Sequence, residues 1–247
     1  MKLSRAAGMA RSVVLKQTPR CLVCQLAPRW CICAGLREVT CPLRVDVLQH
    51  YMESYRPSST GHLLPRVMPG VGRHIFRAER PIARADIAQP GRELWILHPN
   101  GEPLPANADP AALQVLLLDG TWVQAAEMAR LTGAWGRRVC LPMTGQSRYW
   151  LRAQSGTGRF STAEALLFLL GALGLHDAQA QLRVQFELHV YASLCARGHK
   201  QRAADYLVDS PLGAALPEVL EKLASAKGGP RSSAAPQRRA DRPGGLA

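Results

Sequence analysis

Residues 115–118, Val-Leu-Leu-Leu, form an apolar run with no polar alternation, the pattern of a central parallel strand covered on both faces. Ala125, Ala126, Met128, Ala129 and Leu131 then continue with helix-forming types. Between them lies Asp119-Gly120-Thr121-Trp122, which sets a carboxylate at the carboxyl end of the strand, where open α/β sheets bind their ligands. Residues 43–48 alternate as a first strand, and 75–78, 93–97 and 138–141 read as further strands. His98-Pro99-Asn100-Gly101 predicts a turn after the third of these, and 103–110 a loop. Residues 142–161 form a long connection rich in Gly, Ser, Thr, Arg and aromatics, a length that usually serves function in a compact domain. Ser161 and Glu164 have capping-box spacing before an apolar helix, and 177–197 predicts a second helix with Leu182, Phe186, Val190 and Leu194 on its core stripe. Strands alternating with helices in this way indicate an α/β domain with a mostly parallel sheet.

Each polar signal has a plain structural reading beside the functional one. Thr121 and Gln124 fit a capping box, and capping is the preferred reading for Thr121. Asp119 is either a turn residue binding nearby amides or the first candidate for chemistry. Trp122 is either packed on the sheet or left free for base stacking. His50, Glu53 and the Ser58-Ser59-Thr60-Gly61 bend after the first strand make a ligand loop, or an ordinary connection in which Thr60 caps a short helix.

The net charge of +13 points to a polyanionic partner, but the ends carry much of it: residues 1–20 hold +5 and residues 226–247 hold +4. Two internal segments remain basic. Residues 54–84 contain Arg56, Arg66, Arg73, Arg77, Arg80 and Arg84 against Glu79, and residues 128–163 contain six arginines and no acid. Arginine suits bidentate phosphate contacts, which favours RNA or DNA. The longest nearly apolar run, 165–175, is too short to span a bilayer, and the basic N-terminus lacks an apolar signal core. A cytoplasmic protein with reduced thiols is expected.

That expectation governs Cys21-x2-Cys24-x6-Cys31-x-Cys33, four thiols within thirteen residues, read as a structural zinc site. The one-residue spacing of the second pair leaves Cys41 or His50 as a substitute ligand. Arg20 and Arg29 are candidates to offset the anionic centre, and Cys41, Cys140 and Cys195 are read as small buried residues. The chain divides into a flexible basic leader (1–20), a zinc knuckle (21–41), a catalytic domain (42–225) and a disordered basic tail (226–247).

The cysteine cluster, His50-x-x-Glu53 leading to Thr60-Gly61, Asp119-Gly-Thr-Trp122 and Ser161-Thr-Ala-Glu-Ala165 together resemble the DTW-domain proteins over about residues 21–200. The resemblance implies a tRNA-uridine aminocarboxypropyltransferase that uses S-adenosylmethionine, on a SPOUT-like α/β fold with a C-terminal trefoil knot. It implies Cys21, Cys24, Cys31 and Cys33 as zinc ligands, and Asp119 and Trp122 as catalytic signature residues. A more distant likeness to rRNA aminocarboxypropyltransferases implies Thr60, Leu118, Leu141 and Thr162 as the S-adenosylmethionine pocket. The chain departs from the family pattern at Tyr51, where proline is common, and at Ser59, where asparagine is common. Within this reading Asp119 is the candidate base for uridine N3. The competing functions are an RNA methyltransferase of similar fold and a noncatalytic zinc-containing RNA-binding module.

Overall fold

The computed structural model describes residues 19–80, 82–152 and 159–225. The leader up to residue 18, the tail 226–247 and Gly156-Thr157-Gly158 of the long connection lie outside the described residues. Five strands, β1 (Arg44–His50), β2 (Gly72–Phe76), β3 (Glu93–Pro103), β4 (Leu113–Asp119) and β5 (Arg137–Cys140), form one all-parallel sheet in the order β2-β1-β4-β3-β5. The apolar run is therefore central, flanked by β1 and β3, as its lack of alternation requires. Its side chains divide between two cores. Val115 and Leu117 face a large one, while Leu116 and Leu118 face a smaller one.

Helices cover both faces. α2 (Trp122–Thr132) packs on the smaller side through Met128, while α3 (Thr162–Ala172) and α4 (His176–Ala196) fill the larger side with Leu166, Leu169, Leu170, Leu182, Phe186 and Val190. Both expected capping boxes form. The Thr121 hydroxyl accepts from the Gln124 amide and the Gln124 side chain accepts from the Thr121 amide; Ser161 and Glu164 do the same at α3. Each cap contributes on the order of 1 kcal/mol and fixes where the strand-end turn stops. No helix among the described residues is long and apolar enough to cross a membrane.

Several local expectations change. The chain after residue 97 does turn, but as an irregularity inside β3: pairing with β5 shifts between Leu97 and Glu102, then resumes with Glu102 opposite Val139. Thr60 opens a 3-10 turn (Thr60–His62) before α1 (Leu64–Val67), yet it is not a cap, since Ser59 holds that position without a side-chain bond. Its hydroxyl instead accepts from the Ala163 amide at the start of α3. Cys41, Cys140 and Cys195 are half-buried, not buried. Beyond α4 the chain adds α5 (Lys200–Val208), α6 (Leu212–Ala215) and α7 (Pro217–Ser225), which the pattern reading did not separate. They are short elements whose apolar residues, Tyr206, Leu212, Leu216 and Leu223, reach the large core without making a long stripe.

The re-pairing of β3 with β5 depends on Gly101, where an added Cβ would lie 2.5 Å from the Val139 carbonyl carbon and 2.6 Å from its nitrogen. Gly101→Ala is expected to cost about 1–3 kcal/mol, because backbone would have to move to admit the methyl. Urea unfolding measures this; an unchanged midpoint would mean that the second half of β3 pairs loosely.

Candidate functional site at the strand ends

In the parallel ladder Gln49 lies opposite Asp119, so the last residues of β1 and β4 share one edge of the sheet. Asp119 is 3% exposed and its carboxylate is engaged on both oxygens. Oδ2 accepts from Gln49 Nε2 at 2.8 Å and from Ser59 Oγ at 2.7 Å, and Oδ1 accepts from Thr162 Oγ1 at 2.7 Å. The donors come from a strand, a loop and a helix start that are far apart in sequence. Gly61 closes the remaining side, since a Cβ there would sit 2.4 Å from Asp119 Oδ2. Gln49 is itself oriented by Arg73 on β2, whose Nε and Nη2 donate to Gln49 Oε1 at 3.0 and 2.7 Å. This fixes the amide so that its nitrogen points at Asp119.

A second buried acid stands beside the first. Glu53 is fully buried and takes Arg56 at 2.5 Å and Arg152 at 2.8 Å. Burial pushes its carboxyl above the usual range, and the neighbouring Asp119 adds to the effect while Arg152 opposes it. Arg152 ends the stretch Ser147-Arg148-Tyr149-Trp150-Leu151-Arg152, which straps the site from outside. Ser147 donates to Glu164, Arg148 pairs with the buried Glu187 at 2.9 Å and donates to the Tyr206 carbonyl, and the Tyr149 hydroxyl donates to the Ser58 carbonyl at 2.6 Å. Each isolated charge or amide here would cost several kcal/mol to bury alone, so the strap and the two loops stabilise one another.

The arrangement brings Thr60 and Thr162 together with Asp119, through the Ala163 amide and the Thr162 hydroxyl. Leu141 packs against the large core, on the Asp119 side of the sheet, whereas the Leu118 side chain packs on the smaller core across the sheet. Trp122, the first residue of α2, is half-exposed. A cavity of about 340 Å³ lies between α3 and α4, lined by Gln146, Phe160, Phe168, Gln179 and Arg183 among others, and none of the residues expected to hold a ligand borders it.

Of these convergent residues Glu53, Thr60, Gly61, Asp119 and Thr162 belong to the motifs, whereas Gln49, Ser59 and Arg152 do not. A family model described as the DTW domain matches residues 18–194, well over half of the chain. The chain belongs to the DTW-domain family. No solved structure matches it. The Asp and Thr of the DTW signature thus have distinct duties, Asp119 gathering three donors and Thr121 capping α2, while the Trp points outward.

The DTW domain also includes the cysteine cluster. The Sγ atoms of Cys21, Cys24, Cys31 and Cys33 all lie within 4.8 Å of one another, with Cys21 to Cys33 at 3.4 Å and Cys24 to Cys31 at 3.7 Å. A tetrahedron with metal–sulfur bonds of about 2.3 Å has edges of about 3.8 Å, so the four can hold a metal ion; Cys41 and His50 are outside the cluster. Gln25 takes a left-handed φ of 63° just after Cys24, and its amide donates back to the Cys21 carbonyl, folding the first pair into a tight turn. The charge beside the thiols is Arg66, which donates to the Cys24 carbonyl at 3.3 Å; Arg20 bonds the Gln25 carbonyl and Arg29 stacks on Trp30. Composition had assigned Arg66 to the nucleic-acid face, and only the fold reveals its neighbour.

Cys24, Leu26, Ile32 and Val39 belong to the main core, and Gln185 of α4 bonds the Arg37 amide and the Gly35 carbonyl. Cys24→Ser is therefore expected to lose one tightly held metal ion per chain and to lower the melting midpoint of the whole domain, read by elemental analysis and calorimetry. Protein that melts normally without metal would reduce the cluster to ordinary packed thiols.

Proposed function

We propose that this DTW-domain protein transfers the aminocarboxypropyl group of S-adenosylmethionine to N3 of a uridine in tRNA. The observation that carries this reading is the convergence on Asp119 of Gln49, Ser59 and Thr162 at the carboxyl edge of a parallel sheet, the place where such sheets take ligands. Uridine N3 gives up its proton to solvent and bonds the side-chain carbon next to sulfur; the carbon–sulfur bond breaks with its electrons going to sulfur, and methylthioadenosine leaves. The sulfonium activates three carbons, so the site must select by orientation which one meets N3.

Asp119 supports that selection as a positioning residue. A carboxylate offers about four acceptor sites, and protein donors take three of them here, two on Oδ2 and one on Oδ1, so we assign Asp119 first to holding the α3 start and the Thr60 loop in register, with one site on Oδ1 left over. Of the expected S-adenosylmethionine pocket, Thr60, Thr162 and Leu141 lie on the Asp119 side, and Leu118 would contribute only main chain. The four thiols suit zinc, whose chemistry here is structural because a full sulfur set leaves no open position. A cytoplasmic location belongs to the same reading, as does a SPOUT-type knotted C-terminal half, for which the all-parallel sheet and the return of the chain after β5 to the ends of β1 and β4 are the support.

Incubation with S-adenosylmethionine and tRNA is expected to yield methylthioadenosine and a uridine enlarged by the aminocarboxypropyl group. S-adenosylhomocysteine with methylated tRNA would make the protein a methyltransferase instead, and tRNA binding without saturable S-adenosylmethionine binding would make it a noncatalytic module. Asp119→Asn is expected to cut turnover by roughly a hundredfold, the scale of a small misplacement of reacting groups, and Thr162→Val to reproduce part of the loss. A Thr162→Val enzyme of full activity beside an inactive Asp119→Asn would return the proton-accepting role to Asp119.

A further inference from the structure

Seven large apolar side chains are exposed among the described residues, and four of them, Met52, Tyr55, Trp122 and Val123, lie in the 3-10 turn after β1 and the first turn of α2 after β4. Those strands are adjacent and parallel with their ends in register, so all four emerge along the edge that holds Asp119. Tyr55 is 70% exposed, Val123 81% and Trp122 51%. Single exposed apolar residues are ordinary on a protein surface, but a group of them bordering a buried polar centre marks a contact surface.

Charge decides what it contacts. Arg77, just after β2, sits 4.9 Å from the Tyr51 ring of the loop after β1, and the exposed Arg73 stands on the neighbouring edge strand with Nε and Nη2 committed to Gln49. Of the acids nearby, Glu53 is buried and met by Arg56 and Arg152, while Glu127 of α2 acts on His50 and Glu79 follows Arg77, and no ion pair among the described residues joins any of them to Arg73 or Arg77. An apolar protein segment would leave these guanidinium groups facing nothing. A paired duplex would offer them phosphates but hide the faces of its bases. An unpaired nucleotide offers both a ring to stack and a phosphate to pair.

We propose that this edge is a stacking platform for unpaired nucleotides of an RNA loop. Tyr55 and Trp122 take bases flanking the nucleotide presented at Asp119, and Arg73 and Arg77 take phosphates. This rests on RNA as the partner and is independent of which group is transferred.

The test is fluorescence-anisotropy binding of the full-length protein to a stem-loop RNA with uridines in the loop, and to the same strand annealed to its complement. Wild-type protein is expected to prefer the stem-loop. Tyr55→Ala and Trp122→Ala should each weaken that binding about tenfold or more, with Trp122→Phe keeping most of it. The slope of affinity against salt should stay unchanged in these variants and flatten in Arg77→Ala, because only the last removes a phosphate contact. Melting midpoint and metal content serve as controls for folding. Equal affinity for loop and duplex, or aromatic variants that bind as wild type, would overturn the proposal. So would aromatic variants that change the oligomeric state and leave RNA affinity intact, since the surface would then join two copies of this chain. A methylated product would defeat the aminocarboxypropyl reading and leave the preference for loops standing.

Discussion

A carboxylate at the end of a buried strand has left most of its water behind, and the fold has to replace that water with donors. Asp119 receives three, and none comes from its own neighbourhood in sequence. The requirement propagates outward. Gln49 can donate only if its amide is turned the right way, which Arg73 secures from the edge strand. Ser59 and Thr162 must present hydroxyls at the same point, so the loop after β1 and the start of α3 are held against each other, and the Ala163 amide bonded to Thr60 adds a second tie. Gly61 has to lack a Cβ for the approach to occur at all. One strand-end carboxylate thus fixes residue types on four separate segments.

The same constraint explains where the arginines go. Glu53 and Glu187 are fully buried and each is met by two guanidinium groups, Arg56 with Arg152 and Arg148 with Arg183. Arg137 pairs with Glu102, and Arg138 donates to the Ala129 carbonyl. Most of the described arginines between 128 and 163 therefore serve the fold, and the count overstates the charge available to a polyanion. Buried ion pairs of this kind are weak evidence for stability, because desolvation offsets most of their attraction, but removing one partner is costly. Their effect here is to fix geometry at the strand ends.

How far the sequence alone reaches follows from the range of each interaction. The strand-turn-helix around Asp119 is legible because a seven-residue buried strand and a capping box are both local patterns. The cysteine cluster is legible because its ligands are close in sequence, and the start of α3 because Ser161 and Glu164 satisfy each other. The partners of Asp119 are not legible in this way, since Gln49 and Ser59 are common polar residues 70 and 60 positions away. One signal was present: a glutamine following the apolar pair Val47-Leu48 near the end of a buried strand needs a buried partner. Gln114 carries the same signal at the other end of β4, where it bonds Asp46, itself held by Arg44 and His74. The bulge in β3 was hidden for a related reason, because whether a turn leaves the sheet or rejoins it is decided by β5.

The cysteine cluster and the strand-end site are joined by a short piece of chain, which bears on what the cysteines do. Arg66 lies five residues after Gly61 and reaches the Cys24 carbonyl from α1, while His62 holds the Glu53 carbonyl at 3.1 Å and Gly61 abuts Asp119. The thiol cluster is therefore tied to α1, and α1 follows directly on the loop that carries Ser59, Thr60 and Gly61. A guanidinium beside four thiols would also gain from their ionisation on metal binding. A knuckle hung on a flexible linker could be lost without consequence for the site. This one shares a core with α4 and α7, and its influence on the Asp119 edge is carried through packed, hydrogen-bonded chain.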